Sequence, residues 1–380
     1  MLNFIRKIIK PKYKTLNIIE INAQNIIANF NFLKGLQGAA EIFPVLKSNA
    51  YGHGLKETCQ ILNKTEAPMV AVDSFPEAQI VYRYFRKKVL ILGEMPLRAY
   101  HYCRLRRTEF VVYNEATLKY LSRFGKKISI HLFVNSGMNR EGIKDLALFI
   151  ERNRKYLEKV EIAGFCSHLA SADEDSALNE KQEEKFMADL DILRSAGFFP
   201  RWIHLGNSAA IFRLDNKLLT AYRPGLALYG YDPFFDEQGS ESPLKPALEV
   251  FSHIVSLQDL KPGETVSYNE IYQVKEPTRI AVIPFGYFEG LSRHLSKQAQ
   301  FLVQADSGDF WAPVAGNVCM NLTCLDIGKQ IARIGESVKI VSANPDDPNS
   351  VTNLAELMKV IPYEFLVKIQ ANIRRVIIKY

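Results

Sequence analysis

Lys47 closes an apolar run and opens a glycine-punctuated turn in the segment Pro44-Val45-Leu46-Lys47-Ser48-Asn49-Ala50-Tyr51-Gly52-His53-Gly54. Residues 42–46 read as a buried strand from their hydrophobicity and β-branching. A lysine at the C-terminal end of such a strand is held by rigid backbone and projects into a loop-lined mouth. Desolvated there, it can act as an imine-forming amine. A solvated strand-end lysine is the commoner outcome in a chain with 48 Lys and Arg residues, so its neighbours must decide.

Short apolar runs alternate with amphipathic stretches from about residue 40 to 230. The runs are 42–46, 69–72, 89–92, 110–113, 128–134, 160–165, 202–205 and 221–222, eight candidate strands. Helix-like segments lie between them at 55–62, 77–85, 116–124, 144–156, 179–196 and 208–214. A regular strand-then-helix order calls for a parallel sheet. Eight such units over this length favour a closed (β/α)8 TIM barrel, whose active site lies at the C-terminal ends of its strands. Past residue 245 the runs 250–257, 279–283, 301–304, 314–315, 322–326 and 337–341 are separated by turn signals, which reads as a mostly β C-terminal domain. The expected organisation is a leader with a first strand packing on the β domain (1–20), the barrel (21–245) and the β-rich domain (246–380).

Polar residues gather on the expected barrel rim. Lys47 follows the first run, Arg140 the fifth, His168 the sixth, Asn207 and Ser208 the seventh, and Arg223-Pro224-Gly225 the eighth. Each has an ordinary alternative: Arg140 could pair with Glu141, His168 could be a hydrogen-bonded core histidine, and Ser208 could simply cap a helix. Their shared rim is what argues for a site. Ser208 at a helix start, with the amides of Gly225 and Leu226 in a glycine-permitted turn, suits an anion. A lysine facing a phosphate-bearing ligand is the chemistry this predicts, and pyridoxal 5′-phosphate (PLP) fits it.

The bulk properties agree with a soluble two-domain enzyme. Hydrophobic residues make up 47% and charged residues 23% of 380 residues. The net charge of +7 is mildly basic, without the patterns that would predict a nucleic-acid partner. Five scattered cysteines without paired spacing suit a reducing cytoplasm. The leader 1–14 mixes Arg6, Lys7, Lys10, Lys12 and Lys14 with apolar residues but has no signal-peptide core. A frayed or packed leader is expected there, not membrane contact. No metal site is expected.

The chain resembles the alanine racemase family of PLP-dependent, fold type III enzymes, roughly from Leu16 to Tyr380. Besides the lysine segment, the likeness is carried by Gly137-Met138-Asn139-Arg140-Glu141-Gly142, His204-Leu205-Gly206-Asn207-Ser208-Ala209 and Arg223-Pro224-Gly225-Leu226-Ala227-Leu228-Tyr229-Gly230. Val266-Ser267-Tyr268, Gly286-Tyr287, Val318-Cys319-Met320 and Ile361-Pro362-Tyr363-Glu364 extend it into the second domain. The resemblance implies an isomerase, a homodimer that interconverts L- and D-alanine with two bases and supplies D-alanine for peptidoglycan. It implies that Lys47 bonds the cofactor and serves as one base, and that Tyr268 is the other base, contributed by the partner subunit. Tyr51, Ser208, Gly225, Leu226 and Tyr363 would hold the phosphate, and Arg223 would meet the pyridine nitrogen. His168 would support the tyrosine, Arg140 and Met320 would hold the substrate carboxylate, and Tyr287 would line the entrance.

The chain departs from the family pattern on the substrate side. Asn321 stands where the family has Asp, and Phe133 where many members have a lysine, often carbamylated, that orients the arginine matching Arg140. Asn135 and Asn139 replace the usual Asp and Gly, and Phe288-Glu289 replaces Ala-Asp. These changes leave open a racemase for serine or a broader range of amino acids, and a degenerate, non-catalytic PLP-binding homologue.

Overall fold

The computed structural model describes residues 15–234 and 242–379, so the leader 1–14 lies outside the described residues. The chain divides into two units. One takes Leu248–Ile361 and Lys368–Val376 together with the described residues up to Glu20; the other takes Ile21–Ala247, Pro362–Val367 and the residues from Ile377.

After a first strand, β1 (Ile18–Asn22), eight parallel strands follow: β2 (Glu41–Ile42), β3 (Met69–Val72), β4 (Lys88–Ile91), β5 (Thr108–Val112), β6 (Ser129–Phe133), β7 (Glu161–Cys166), β8 (Trp202–His204) and β9 (Ala221–Tyr222). Strands β3 to β8 pair in sequence order as one parallel sheet, and β2 pairs with β9. Main-chain bonds close the ring. Leu46 N donates to Ala71 O (2.7 Å), Ala71 N to Pro44 O (2.8 Å) and Thr220 N to Ile203 O (2.9 Å). The result is the (β/α)8 barrel expected from the alternation. All eight predicted strands are present, but the first differs. The run 42–46 is regular strand only at Glu41–Ile42, with an isolated bridge from Val45 to Ala71. Pro44 has no N–H to give the ladder, so pairing is interrupted just before Lys47.

The β-rich unit contains β10 (Leu248–His253), β11 (Ser256–Leu260), β12 (Thr265–Val266), β13 (Tyr272–Gln273), β14 (Thr278–Ile283), β15 (Gln300–Gln304), β16 (Phe310–Pro313), β17 (Thr323–Gly328), β18 (Ser337–Val341) and β19 (Arg374–Ile378). One sheet runs β16-β15-β18-β10-β1-β19, a second runs β11-β14-β17, and β12 and β13 form a hairpin. Alternating burial along β10 and β17 is the signature of sheets with one face on the core. The sequence read 250–257 as one strand. It is two, in different sheets, broken where Ile254 N and Val255 N bond out to Glu336 O and Val282 O. Among the described residues no helix is long and apolar enough to cross a membrane.

Candidate active site

The backbone after Lys47 is left-handed for four residues running. Ser48, Asn49, Ala50 and Tyr51 have φ of 56°, 55°, 55° and 52°, and none is glycine. Each such residue costs roughly 1–2 kcal/mol, a strain that persists only where surrounding contacts enforce it. Those contacts are present. Glu77 accepts from Ser48 N (2.7 Å) with one oxygen and from Asp73 N (2.8 Å) with the other. Asn49 Oδ1 accepts from Leu55 N (2.9 Å), and Gly54 N donates to Asn49 O (2.9 Å). Lys47 is therefore clamped between a barrel strand and a braced turn.

That turn delivers Tyr51 into a cluster of hydroxyls. Its ring lies 5.3 Å from that of Tyr229 and 6.0 Å from that of Tyr363, which the Pro362–Val367 segment brings to the barrel unit. Burial raises the Tyr51 phenol, with a further push from Tyr363, and burial takes Tyr363 up to about 12. Both remain protonated donors at neutral pH. The Tyr51 hydroxyl sits where a Cβ on Gly225 would have to be, so a glycine is what lets backbone and phenol meet. Ser208 Oγ accepts from Gly225 N (2.9 Å) and Ala227 N (3.2 Å). Leu226 begins the short 3-10 turn that follows. One expectation is corrected here. Ser208 does not open a helix: the helix is four residues, Ala210–Arg213, and Asn207 Oδ1 takes the amides of Ala209 and Ala210. Ser208 instead ties the seventh rim loop to the eighth.

Arg223 is buried, at 6% exposure. It donates to the backbone carbonyls of His204 (2.7 Å) and Ser167 (2.5 Å) and to the His204 ring. Burial lowers its pKa, but a guanidinium stays charged. His168 is pushed down to about 3, first by burial and then by the charges of Arg223, Arg140 and Lys47. His168 is therefore neutral at pH 7. His204 is also held well below 6.5 by burial, Arg223 and His131.

These two histidines make stability acid-sensitive. In the unfolded chain each takes a proton near pH 6.5; in the fold neither does until far lower. Below about pH 6.5 the unfolded state holds more protons, so stability falls as pH drops, by up to about 1.4 kcal/mol per pH unit for the fully buried His204. Urea midpoints are expected to decrease from pH 7 to pH 5, with a shallower decrease in His168→Asn. Equal wild-type midpoints would mean that the fold accommodates both imidazolium ions.

On the fifth rim loop Arg140 does pair with Glu141, through Nε (2.5 Å) and Nη2 (2.7 Å), and its side chain is 55% exposed. Phe133 packs edge-on to Tyr113 at 6.3 Å. The two asparagines that replace the usual Asp and Gly have a physical account. Asn139 has φ of 58°, a conformation asparagine tolerates better than most residues. Asn135 Oδ1 accepts from Gly137 N (3.0 Å) and Asn139 N (3.1 Å), as an aspartate would.

The remaining sequence candidates lie in the β-rich unit. Tyr268 is 66% exposed between Ser267 and Asn269, at φ of 67° and 65°. Asn317 holds that kink by donating to Tyr268 O (2.8 Å) and accepting from Ser267 Oγ through its carbonyl (2.9 Å). Tyr287 and Met320 sit on adjoining segments, with Tyr287 N on Cys319 O (3.0 Å) and Phe288 N on Met320 O (2.9 Å). Asn321 Nδ2 donates to Glu289 Oε1 (3.0 Å), so a carboxylate still borders this position, supplied from the neighbouring segment. Glu289 was read from the sequence only as a departure from the family pattern on the substrate side, and Glu77 and Asn317 were not read as parts of the site. Nor were Glu109 and His131, polar residues inside the apolar strands Thr108–Val112 and Ser129–Phe133 that could have been noticed as such.

The chain matches the alanine racemase N-terminal domain over residues 21–233 and the C-terminal domain over residues 247–377. An alanine racemase of Borreliella burgdorferi (strain ZS7) is 32% identical over 365 residues, 92% of this chain and 94% of that protein. Alanine racemase 2 of Caldanaerobacter subterraneus subsp. tengcongensis is 31% identical over 371 residues, 95% of this chain and 94% of that one. The structure of alanine racemase from Clostridium difficile 630 superposes with a TM-score of 0.88 at 28% identity, covering 97% of both chains. With both domain families matched in order and a braced lysine on the barrel rim, this chain belongs to the alanine racemase family.

Proposed function

We propose that this protein is a PLP-dependent isomerase that interconverts L- and D-alanine, working in the cytoplasm as a homodimer and supplying D-alanine for peptidoglycan. The observation that carries the reading is the clamped Lys47 in the same unit as the hydroxyl cluster and the buried Arg223. The donor set fits the cofactor. Ser208, Tyr51 and Tyr363 bring hydroxyls and Leu226 a main-chain N–H to a neutral cup that suits a phosphate, and the Gly225 N–H, held by Ser208 Oγ in this structure, would join them by exchanging that bond for one to the ligand. In that cup the Tyr51 hydroxyl lies close against the Gly225 backbone. Lys47 would bond the cofactor aldehyde and Arg223 would meet its ring nitrogen.

When bound, PLP draws electron density from the amino-acid Cα so that its proton can leave. The chain's own residues then do the rest. Lys47 and Tyr268 remove and return a proton at Cα from opposite faces, Tyr268 being supplied by the partner subunit. Arg223, always charged, does not hand a proton to the ring. Neutral His168 supports the tyrosine, Arg140 and Met320 hold the substrate carboxylate, and Tyr287 lines the way in. The division into 1–20, 21–245 and 246–380 belongs to the same reading.

The test is direct. Purified protein with PLP and L-alanine should form D-alanine, followed by chiral chromatography, with L-serine and L-lysine run alongside. No D-alanine would end the proposal; faster turnover of serine would move it to another substrate. Gly225→Ala is expected to raise the PLP dissociation constant at least about tenfold, because the new methyl collides with the buried Tyr51 phenol. Absorbance titration with PLP checks it, and an unchanged constant would show that Tyr51 swings aside at no cost.

A further inference from the structure

A line of ionisable side chains runs through the barrel interior from the N-terminal ends of the strands to the rim. Lys88 Nζ, on the first residue of β4, donates to Glu109 Oε1 (2.6 Å). Glu109 Oε2 meets His131 Nε2 (2.7 Å), and His131 Nδ1 meets His204 Nε2 (2.6 Å). His204 Nδ1 meets Arg223 Nη1. Glu109 is 1% exposed and both histidines 0%. The line is built into the fold: Gly164, paired with His131 across β6 and β7, has no Cβ because the His131 ring occupies that space. Arg201 Nη2 also lies near this line, 3.8 Å from Glu109 Oε1.

Counting protons fixes every bond in the line. Arginine only donates, so His204 Nδ1 must accept. A neutral imidazole has one N–H, so His204 carries it on Nε2 and gives it to His131 Nδ1. His131 then carries its proton on Nε2 and gives it to the Glu109 carboxylate. The whole sequence of donors reads in one direction, and the acceptor at its far end is the carboxylate. Burial pushes the Glu109 carboxyl up, but the hydrogen bonds from His131 and Lys88, with the Lys88 charge, hold it below the usual carboxylate range.

We propose that Glu109 is a positioning residue for Arg223: through His131 and His204 it dictates which ring nitrogen is bare, so that an acceptor and not an N–H faces the guanidinium. The proposal rests on the reading of Arg223 as the partner of the cofactor ring nitrogen. Its consequence is specific. In Glu109→Gln, Lys88 only donates, so the new amide turns its oxygen toward Lys88 and its NH2 toward His131. His131 must then accept at Nε2 and carry its proton on Nδ1. His204 follows, and its Nδ1–H meets the N–H of Arg223. One substitution remote from the rim inverts two tautomers and pushes the arginine off its seat. Adding Lys88→Met frees the amide to turn round, which restores the original order.

The experiment is nitrogen NMR of the holoenzyme labelled with 15N-histidine, read beside PLP affinity by absorbance titration. Wild type should show His131 and His204 protonated on Nε2. Glu109→Gln should show both protonated on Nδ1, with the PLP dissociation constant raised about tenfold. Glu109→Gln/Lys88→Met should return both readouts to near wild type, and Lys88→Met alone should leave the tautomers unchanged. A wild-type His204 protonated on Nδ1 overturns the proposal even if no variant folds. So do unchanged tautomers in Glu109→Gln, or inverted tautomers with an unchanged dissociation constant. A wild-type protein that binds no PLP sinks the cofactor reading and the positioning role with it, while the tautomer pattern in that sample reports separately on the line itself.

Discussion

Lys47→Ala is expected to lower alanine racemisation by at least about a thousandfold, since the lysine combines two tasks that each carry a large share of the rate. It is the amine that would bond the cofactor and the base on one face of the substrate Cα. The substitution should leave the fold intact. The left-handed turn after it is braced by Glu77 and Asn49, not by the lysine side chain. Two readouts separate the tasks. Chiral chromatography follows turnover, and borohydride treatment followed by intact mass shows whether the cofactor is attached to the chain. The wild-type mass should rise by one reduced cofactor and the variant's should not. A variant that still racemises at even a tenth of the wild-type rate would remove Lys47 from the chemistry.

Much of this arrangement was legible in the residues. Parallel barrel strands are buried on both faces, so they appear as apolar runs, and their alternation with amphipathic stretches named the fold. The rim residues were visible because a polar group after such a run has few places to go. What stayed hidden depends on register and on backbone conformation. Nothing in Ser48-Asn49-Ala50-Tyr51 announces four left-handed residues, because the enforcing carboxylate, Glu77, is 29 residues from Ser48. Ser208 looked like a helix cap, but its hydroxyl is taken by the amides of Gly225 and Ala227, which only barrel closure brings near. The break within 250–257 carries no glycine or proline. Two sheets part there because the Ile254 and Val255 amides find partners elsewhere. Glu109 and His131 make sense only once β5 to β8 are assembled in order, with Gly164 of β7 leaving room for the His131 ring, when three isolated polar residues become one hydrogen-bonded line.

The substrate-side departures can be read the same way. Asn321 loses a charge that the family carries at that point, but Glu289 lies within hydrogen-bond distance and keeps a carboxylate beside it. Phe133 supplies no group to Arg140, and Glu141 pairs with that arginine from the adjacent position in the chain. A carboxylate thus stands beside each of these two positions, as the family pattern also has at 141 and 289.

Tyr268→Phe is expected to lower racemisation by about a thousandfold, because inversion needs a proton acceptor on one face and a donor on the other. The loss should be of a particular kind. For one enantiomer Lys47 can still remove and return the Cα proton on its own face, so that enantiomer should exchange its Cα hydrogen with deuterated water without inverting. Exchange in neither enantiomer would argue that the tyrosine holds the site together and does not carry a proton. The proposal that Tyr268, exposed on a kink held by Ser267 and Asn317, serves a second copy gives a sharper test. Lys47→Ala chains retain the tyrosine and Tyr268→Phe chains retain the lysine. Unfolded together in equal amounts and refolded, half the dimers should be mixed, and in each of these one of the two sites receives both bases. About a quarter of the wild-type activity should return if each site draws on two subunits. If each chain completes its own site, every site in the mixture lacks one base and no activity returns.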